Sequence, residues 1–407
     1  MNRVAVTGLG VVSSLGNGVG EVLRSLREGR SGMVFMPEMR ELGYKCCVAA
    51  PVAVPDVAVL PRKSLRTMST AAVYGVVAGL EAVRDARLPD DAFHSDRAAV
   101  VVGSGAGGVS EVPRAEEVLA RGGNLAMLGG VGLARIMNST ATANLAVLLG
   151  ARGRTCSLSA ACATGLYNIG HGYELVRHGL ADLCVSGAVE EDTWRQVGLS
   201  ADNTSGMPTD WNDRPTQACR PFDRDRQGFI SSAGAGILVL ESLDRAERRG
   251  ARVYAEVVGY GAANDAQDLF LPSGEGLRRS IEESMETASL AGVREIDYIN
   301  AHGPGTRAGD AVDVRVIGGL FGEGPLVSST KALGGHAQGA AGAVEAVHAV
   351  LMLAHGFVAP TANLENVADD CRGVRHVQSL QERRLETALT FNSGLGGTNA
   401  SLVLRRI

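Results

Sequence analysis

Ser157-Leu-Ser-Ala-Ala-Cys162-Ala-Thr-Gly165 runs a short apolar strand straight into a helix, with one cysteine at the join. The strand pattern covers 155–159, and the helical one runs from 163 to about 178. Outward from this unit the same alternation continues. Strand-like segments lie at 4–8, 98–103, 182–188, 236–241, 253–259, 297–301, 325–329 and 400–404. Helical patterns lie between them. Ser69 caps a run through Val73, Val76, Val77, Leu80 and Val83, spaced for one buried face. Leu277, Ile281, Met285 and Ala288 repeat that spacing, and a helix opening near Ser242 ends at Gly250. The alternation predicts an α/β protein, in layers around a mainly parallel, buried sheet. The division falls near residue 250, giving an N-terminal half, 1–250, that carries Cys162 and a C-terminal half, 251–407. Small residues over 181–188 suit pairing across a dimer axis or, equally, a buried central strand.

Composition narrows the function. The chain has 407 residues, a net charge of −5 and 4% aromatic residues, so neither a basic field nor a stacking platform points to nucleic acid. Gly is abundant at 53 residues, which with 45% apolar content indicates tight turns and close packing rather than disorder. No apolar run approaches the ~20 residues that span a bilayer. The N-terminal stretch is broken by Gly8, Gly10 and Gly16, unlike a secretory signal. Seven cysteines, an odd count without CxxC pairs, predict reduced thiols in a cytoplasmic protein.

Four motifs carry chemistry. Backbone N–H groups at a helix start favour a thiolate at Cys162 and can also hold an oxyanion; taken alone, Cys162 could equally be a small buried residue. Asn300-Ala-His302-Gly-Pro304-Gly-Thr306 delivers a histidine from a strand end, where reactive groups gather in α/β sheets. Lys331-Ala-Leu-Gly-Gly-His336 follows another strand and precedes a helix rich in small residues. Asn392-Ser-Gly394-Leu395-Gly396-Gly-Thr-Asn399 is a glycine turn between two strands. It lacks the following helix and the Lys of a phosphate-binding loop. Each motif has a bland structural reading. Together they supply a thiol, two imidazoles and a cation. A Cys/His/His zinc site is the rival constellation, weakly signalled by ligands so scattered.

With these residues in view, the chain resembles the elongating β-ketoacyl-acyl-carrier-protein synthases of the thiolase superfamily, most of all the first of the bacterial elongation types. The resemblance spans the chain. It takes in Val4-Ala-Val-Thr-Gly-Leu-Gly-Val-Val-Ser-Ser-Leu-Gly16, Ser25-Leu-Arg-Glu-Gly-Arg-Ser-Gly32, the Cys162 block, Arg220-Pro-Phe-Asp-Arg-Asp-Arg-Gln-Gly-Phe229, the His302 loop, the Lys331/His336 block and the glycine turn.

The resemblance implies a five-layered αβαβα thiolase-like fold built from two similar halves, and normally a dimer. It implies that Cys162 accepts an acyl group from an acyl carrier protein, with an oxyanion hole formed by the backbone N–H groups of Cys162 and Leu395. His302 and His336 would stabilise the enolate left when malonyl-carrier protein loses CO2, and Lys331 would orient the site. Asp310 and Asp313 support it; the family has Glu at the second position, so a pairing of Asp313 with Lys331 would span one methylene less. Phe229 matches an aromatic beside the histidines. No metal or organic cofactor is implied, because the phosphopantetheine arm arrives on the partner.

Two positions depart from the family. Pro304 replaces a pantetheine-contacting Thr, while Thr306 remains. The gate turn, Gly394-Leu395-Gly396, is one residue short and lacks the family's phenylalanines; in length it resembles ketosynthases of type II polyketide assembly. Three readings follow: a primary fatty-acid elongation enzyme, the catalytic ketosynthase of a polyketide or polyene pathway paired with a chain-length-factor-like partner, or such a non-catalytic partner itself. Because the carrier is acidic and this chain net negative, a local basic docking patch is expected; Arg62, Lys63 and Arg66, just ahead of a helix, are the candidates.

Overall fold

The computed structural model describes residues 1–124, 126, 130–192, 194–204 and 206–407. Eleven of the main-sheet strands are labelled here in chain order. They are β1 (Val4–Ser13), β2 (Ala98–Ser104), β3 (Thr155–Cys156), β4 (Leu183–Glu190), β5 (Gly234–Ser242), β6 (Ala255–Asn264), β7 (Tyr298–Asn300), β8 (Leu326–Ser328), β9 (Arg375–His376), β10 (Thr387–Gly394) and β11 (Thr398–Arg405). Their spatial order is β9-β8-β7-β10-β11-β6-β1-β5-β4-β2-β3.

That order contains the same pattern twice. In the N-terminal half β1, β5 and β4 pair antiparallel, then β4, β2 and β3 pair parallel. In the C-terminal half β6, β11 and β10 pair antiparallel, then β10, β7 and β8 pair parallel. The halves meet where Val4, Ala5 and Val6 pair antiparallel with Val257, Glu256 and Ala255. The sheet is therefore mixed, not mainly parallel. Continuous apolar runs report burial on both faces, and here helical layers bury antiparallel strands as thoroughly as parallel ones. β4 is paired on both sides within its own chain, so the small residues around it serve a central strand. The predicted strand at 155–159 is regular only at Thr155–Cys156 and forms the sheet's outer edge.

Helices α1 (Thr70–Asp85) and α2 (Thr140–Leu149) cover the outer face of the N-terminal sheet. Helices α3 (Thr164–Arg177) and α6 (Ala341–His355) lie in the central layer, while α4 (Glu275–Leu290) and α5 (Arg307–Phe321) cover the other outer face. This gives five layers, αβαβα. Ser69 caps α1 by accepting the Ala72 N–H at 3.2 Å. The α2 and α5 helices went unpredicted: α2 is apolar nearly all round and α5 mixes Asp, Arg and Gly with valines, so neither shows a clean amphipathic stripe.

The central pair of helices sets the site. A Cβ added at Gly165 would lie 2.2 Å from the Ala343 nitrogen, and one at Gly236 would lie 2.3 Å from the Ala343 carbonyl carbon. Backbones therefore touch across the layer, which only glycine permits. The start of α3, which follows Cys162, is pressed against the start of α6, which follows His336. Among the described residues no helix is long and apolar enough to cross a membrane.

Candidate active site

Cys162 sits on a sharp turn between β3 and α3. Ala161 has φ +47°, a left-handed conformation that turns the chain in one residue. Local hydrogen bonds hold the turn. Thr164 Oγ1 accepts the Ala160 N–H at 2.8 Å, Thr398 Oγ1 donates to the Ala160 carbonyl at 3.0 Å, and Asn168 brackets Leu158 through both its N–H and its carbonyl, each at 3.1 Å. The backbone N–H groups of Leu395 and of Cys162 itself act on the sulfur, each favouring its thiolate. The turn that carries Leu395 therefore lies against the nucleophile's backbone, as the predicted oxyanion hole requires.

The expectation of a lowered thiol pKa is overturned. Burial pushes the Cys162 thiol up to about 11; Lys331 and the two N–H groups lower it, and Glu190 adds to the rise. Desolvation of a thiolate outweighs the helix N-terminus here, so the resting group is the thiol.

The glycine turn is the tip of the β10–β11 hairpin. Gly394 lies so close to the nucleophile's turn that a Cβ there would stand 2.9 Å from the Ala160 carbonyl oxygen and 3.0 Å from the Cys162 nitrogen. Gly396 (φ +82°) and Gly397 (φ +72°) form the left-handed reversal. The Leu395 side chain is 56% exposed, so it reaches outward and does not fill the site. The Gly396 N–H donates to the Leu269 carbonyl at 2.9 Å, which lays an exposed apolar loop, Leu269 to Leu271, beside the tip.

His302 and His336 are both buried, with ring centroids 5.3 Å apart at 82°. His336 Nδ1 accepts the Gln338 N–H at 3.1 Å, and His302 Nδ1 faces the Asn392 amide nitrogen at 3.0 Å. With both Nδ1 atoms accepting, each ring carries its proton on Nε2 and can donate from there. Burial, reinforced by Lys331, holds both well below the usual imidazole range, with His336 adding to the effect on His302, so both are neutral at pH 7. Phe229 packs edge-on against His336 at 5.6 Å.

Lys331 is buried and donates to the His302 carbonyl and to Glu345 Oε1, each at 2.6 Å. The expected pairing with Asp313 is corrected. Asp313 Oδ2 accepts the Gly303 N–H at 2.7 Å, and burial pushes its carboxyl up to about 8. Asp310 accepts the N–H groups of Gly305 at 3.0 Å and Phe222 at 2.7 Å, and burial takes it to about 7. These two short acids brace the His302 loop, while the longer Glu345, on α6, reaches Lys331. Asn392 links the pair to the histidine, donating also to Glu345 Oε2 at 2.8 Å. Sequence reasoning missed Glu345 and the role of Asn392. The available signal was one carboxylate inside a mostly apolar helical run, Ala341–His355.

Thr306 precedes α5 and is half-buried, its carbonyl accepting the Asp310 N–H at 3.1 Å. Arg62 and Lys63 lie on a one-turn helix, Arg62–Leu65, with Arg66 at its C-cap; all three are exposed, and the Arg135 guanidinium donates to the Arg66 carbonyl at 3.0 Å. Among the described residues no group of three or more His, Cys, Asp or Glu side chains could hold a metal ion.

A thiol at a helix entry against the Leu395 turn, with two buried imidazoles that each donate from Nε2, supplies donors for a tetrahedral oxyanion and for an enolate oxygen. Comparison with known proteins bears on this geometry. Residues 1–246 match the model for the β-ketoacyl synthase N-terminal domain, and residues 254–365 that for its C-terminal domain. The 3-oxoacyl-[acyl-carrier-protein] synthase 1 of Escherichia coli K12 is 37% identical over 409 residues, covering 100% of both chains. The solved ishigamide ketosynthase/chain length factor superposes with a TM-score of 0.91 at 33% identity, covering 100% of this chain and 99% of that one. AntDE:AntF, a type II PKS acyl-carrier protein in complex with its ketosynthase, superposes with a TM-score of 0.88 at 28% identity, covering 100% and 99%.

Proposed function

Because this chain belongs to the β-ketoacyl synthase family, and so is a condensing acyltransferase acting on carrier-bound thioesters, we propose that Cys162 is its acylated nucleophile and that His302 and His336 stabilise the enolate. The observation that carries the assignment is the close approach of the Leu395 turn to the Cys162 backbone, together with two buried imidazoles that donate from Nε2. In the first half-reaction the Cys162 sulfur attacks the acyl thioester carbonyl, the two N–H groups hold the oxyanion, and the carrier's pantetheine leaves as the thiol with the Cys162 proton. In the second, the carboxyl–carbon bond of malonyl-carrier protein breaks and CO2 departs. The enolate oxygen is held by His302 and His336, and the carbanion attacks the acyl carbonyl. The Cys162 thiolate leaves and regains a proton. Lys331 holds the His302 backbone and supplies positive potential, and Thr306 contacts the pantetheine arm. The arm is the only prosthetic group required, and it belongs to the carrier.

The pathway reading is a type II polyketide or polyene assembly in the cytoplasm, with an acyl carrier protein and a second ketosynthase, a like copy or a chain-length-factor-like chain, as partners. The shortened gate supports it. Leu395 has neither the volume nor the flat face of phenylalanine, so less side chain closes the acyl site. The likeness to the ishigamide and AntDE ketosynthases points the same way. Full-length identity of 37% to the E. coli enzyme favours primary fatty-acid elongation as the second reading. A non-catalytic role is disfavoured by the presence of Cys162, His302 and His336 together. Competition between saturated and 2,4-dienoyl carrier-bound substrates decides. The polyene reading expects the dienoyl chain to be preferred, and Leu395→Phe to reverse that preference. A saturated preference unaffected by Leu395→Phe assigns the chain to fatty-acid elongation.

A further inference from the structure

One buried carboxylate beside the site takes no part in this chemistry. Glu190, the last residue of β4, is 1% exposed. Its Oε1 accepts from the Ser104 hydroxyl at 3.0 Å and the Ala106 N–H at 3.2 Å; its Oε2 accepts from the N–H groups of Gly105 at 2.9 Å and Gly339 at 3.1 Å. Two of these partners are glycines because of it: a Cβ at Gly105 or at Gly339 would fall 2.6 Å from Oε2. Gly339 is the informative one. The preceding residue, Gln338, has φ +49° and donates its own N–H to His336 Nδ1. Two successive backbone N–H groups thus hold opposite ends of one link, one on the histidine ring and the next on Glu190.

We infer that Glu190 is a positioning residue: through Gly339 and Gln338 it aims the Nε2 donor of His336. The inference rests on the roles proposed above for Cys162 and His336. All four partners are donors, which suits an ionised carboxylate; an amide nitrogen on either side would meet an N–H or O–H donor. Burial pushes the Glu190 carboxyl up to about 7, opposed by the same hydrogen bonds.

Glu190→Gln and Glu190→Asp, in the full chain, test this with two readouts. Acyl uptake from acyl-carrier protein reports Cys162, and condensation of acyl-enzyme with malonyl-carrier protein reports His336. Glu190→Gln turns an amide nitrogen toward a donor, so a link is lost. Glu190→Asp keeps the carboxylate but falls a methylene short of Gly339. Each should slow condensation at least about tenfold, because a misaimed donor is costly, while acyl uptake stays within about twofold of wild type. A fall of both readouts together in both variants, or wild-type condensation in either, overturns the inference. If Glu190→Gln does not fold, Glu190→Asp alone decides. Cys162→Ala in the same uptake assay tests the underlying reading separately: acylation persisting there would remove that reading, whatever Glu190 does.

Discussion

Lys331 meets Glu345 at 2.6 Å with the two side chains only 2% and 4% exposed, so a full ion pair sits inside the layer that joins the two halves. Burial pushes the Glu345 carboxyl up and Lys331 draws it down. Removing either partner strands the other. Lys331→Ala and Glu345→Ala should each cost about 3–5 kcal/mol of stability, as for other broken buried pairs. The double variant Lys331→Met/Glu345→Leu should be more stable than either single one. Chemical denaturation of the four proteins checks this; a double variant less stable than both single ones would mean that neither side chain is stranded by loss of the other.

The nucleophile and the histidines should separate kinetically. Cys162→Ala should abolish acyl uptake, read by mass spectrometry of the protein after incubation with acyl-carrier protein. His302→Ala and His336→Ala should retain part of that uptake yet lose condensation, each by roughly 2.7–4 kcal/mol of transition-state stabilisation. An adduct on another cysteine, or wild-type condensation in either histidine variant, would remove the assigned roles.

Asp313 makes stability depend on pH. Its folded carboxyl titrates at about 8, against an unfolded value near ~4. The folded chain therefore holds a proton that the unfolded chain releases over this window. The stabilisation is complete below the lower value and is lost as pH rises through the higher one. Asp313→Asn should gain on wild type by about 1 kcal/mol at pH 5 and by several kcal/mol at pH 9. Thermal melts at the two pH values test it. Asp310, also pushed up to about 7, should leave a shallower slope of the same sign in the variant.

Arg62, Lys63 and Arg66 are exposed on one short helix and its cap, and Arg135 donates to the Arg66 carbonyl. Reversing Arg62 and Arg66 to Glu should raise KM for carrier-bound substrate by roughly tenfold and change kcat less, with the difference shrinking at high salt. An unmoved KM would place the carrier elsewhere.

Local order alone made much of this molecule legible. The join at Cys162, the strand ends at His302 and before Lys331, the cap at Ser69 and the hairpin at Gly394 all follow from hydrophobic period and turn chemistry within about ten residues. Strand direction did not follow, because a run such as Leu183–Glu190 is equally apolar whether its neighbour in the sheet runs with it or against it. Nor did the match of strand order between the halves, which lies in connectivity and leaves little trace in side-chain pattern.

What the sequence by itself determined was the set of reactive groups and the local geometry presenting them. Cys162 stands at a helix entry and each histidine in a glycine-rich loop, because those preferences are short-ranged. Only the tertiary structure decided the protonation states and the partners. Cys162 is a thiol near 11 because layers distant in sequence bury it. Lys331 pairs with Glu345 and not Asp313 because α6 lies across the site. Both imidazoles carry their proton on Nε2 because Asn392 and Gln338 occupy the other nitrogen. Desolvation and hydrogen-bond partnership depend on what surrounds a group in space, and no window of sequence contains that information.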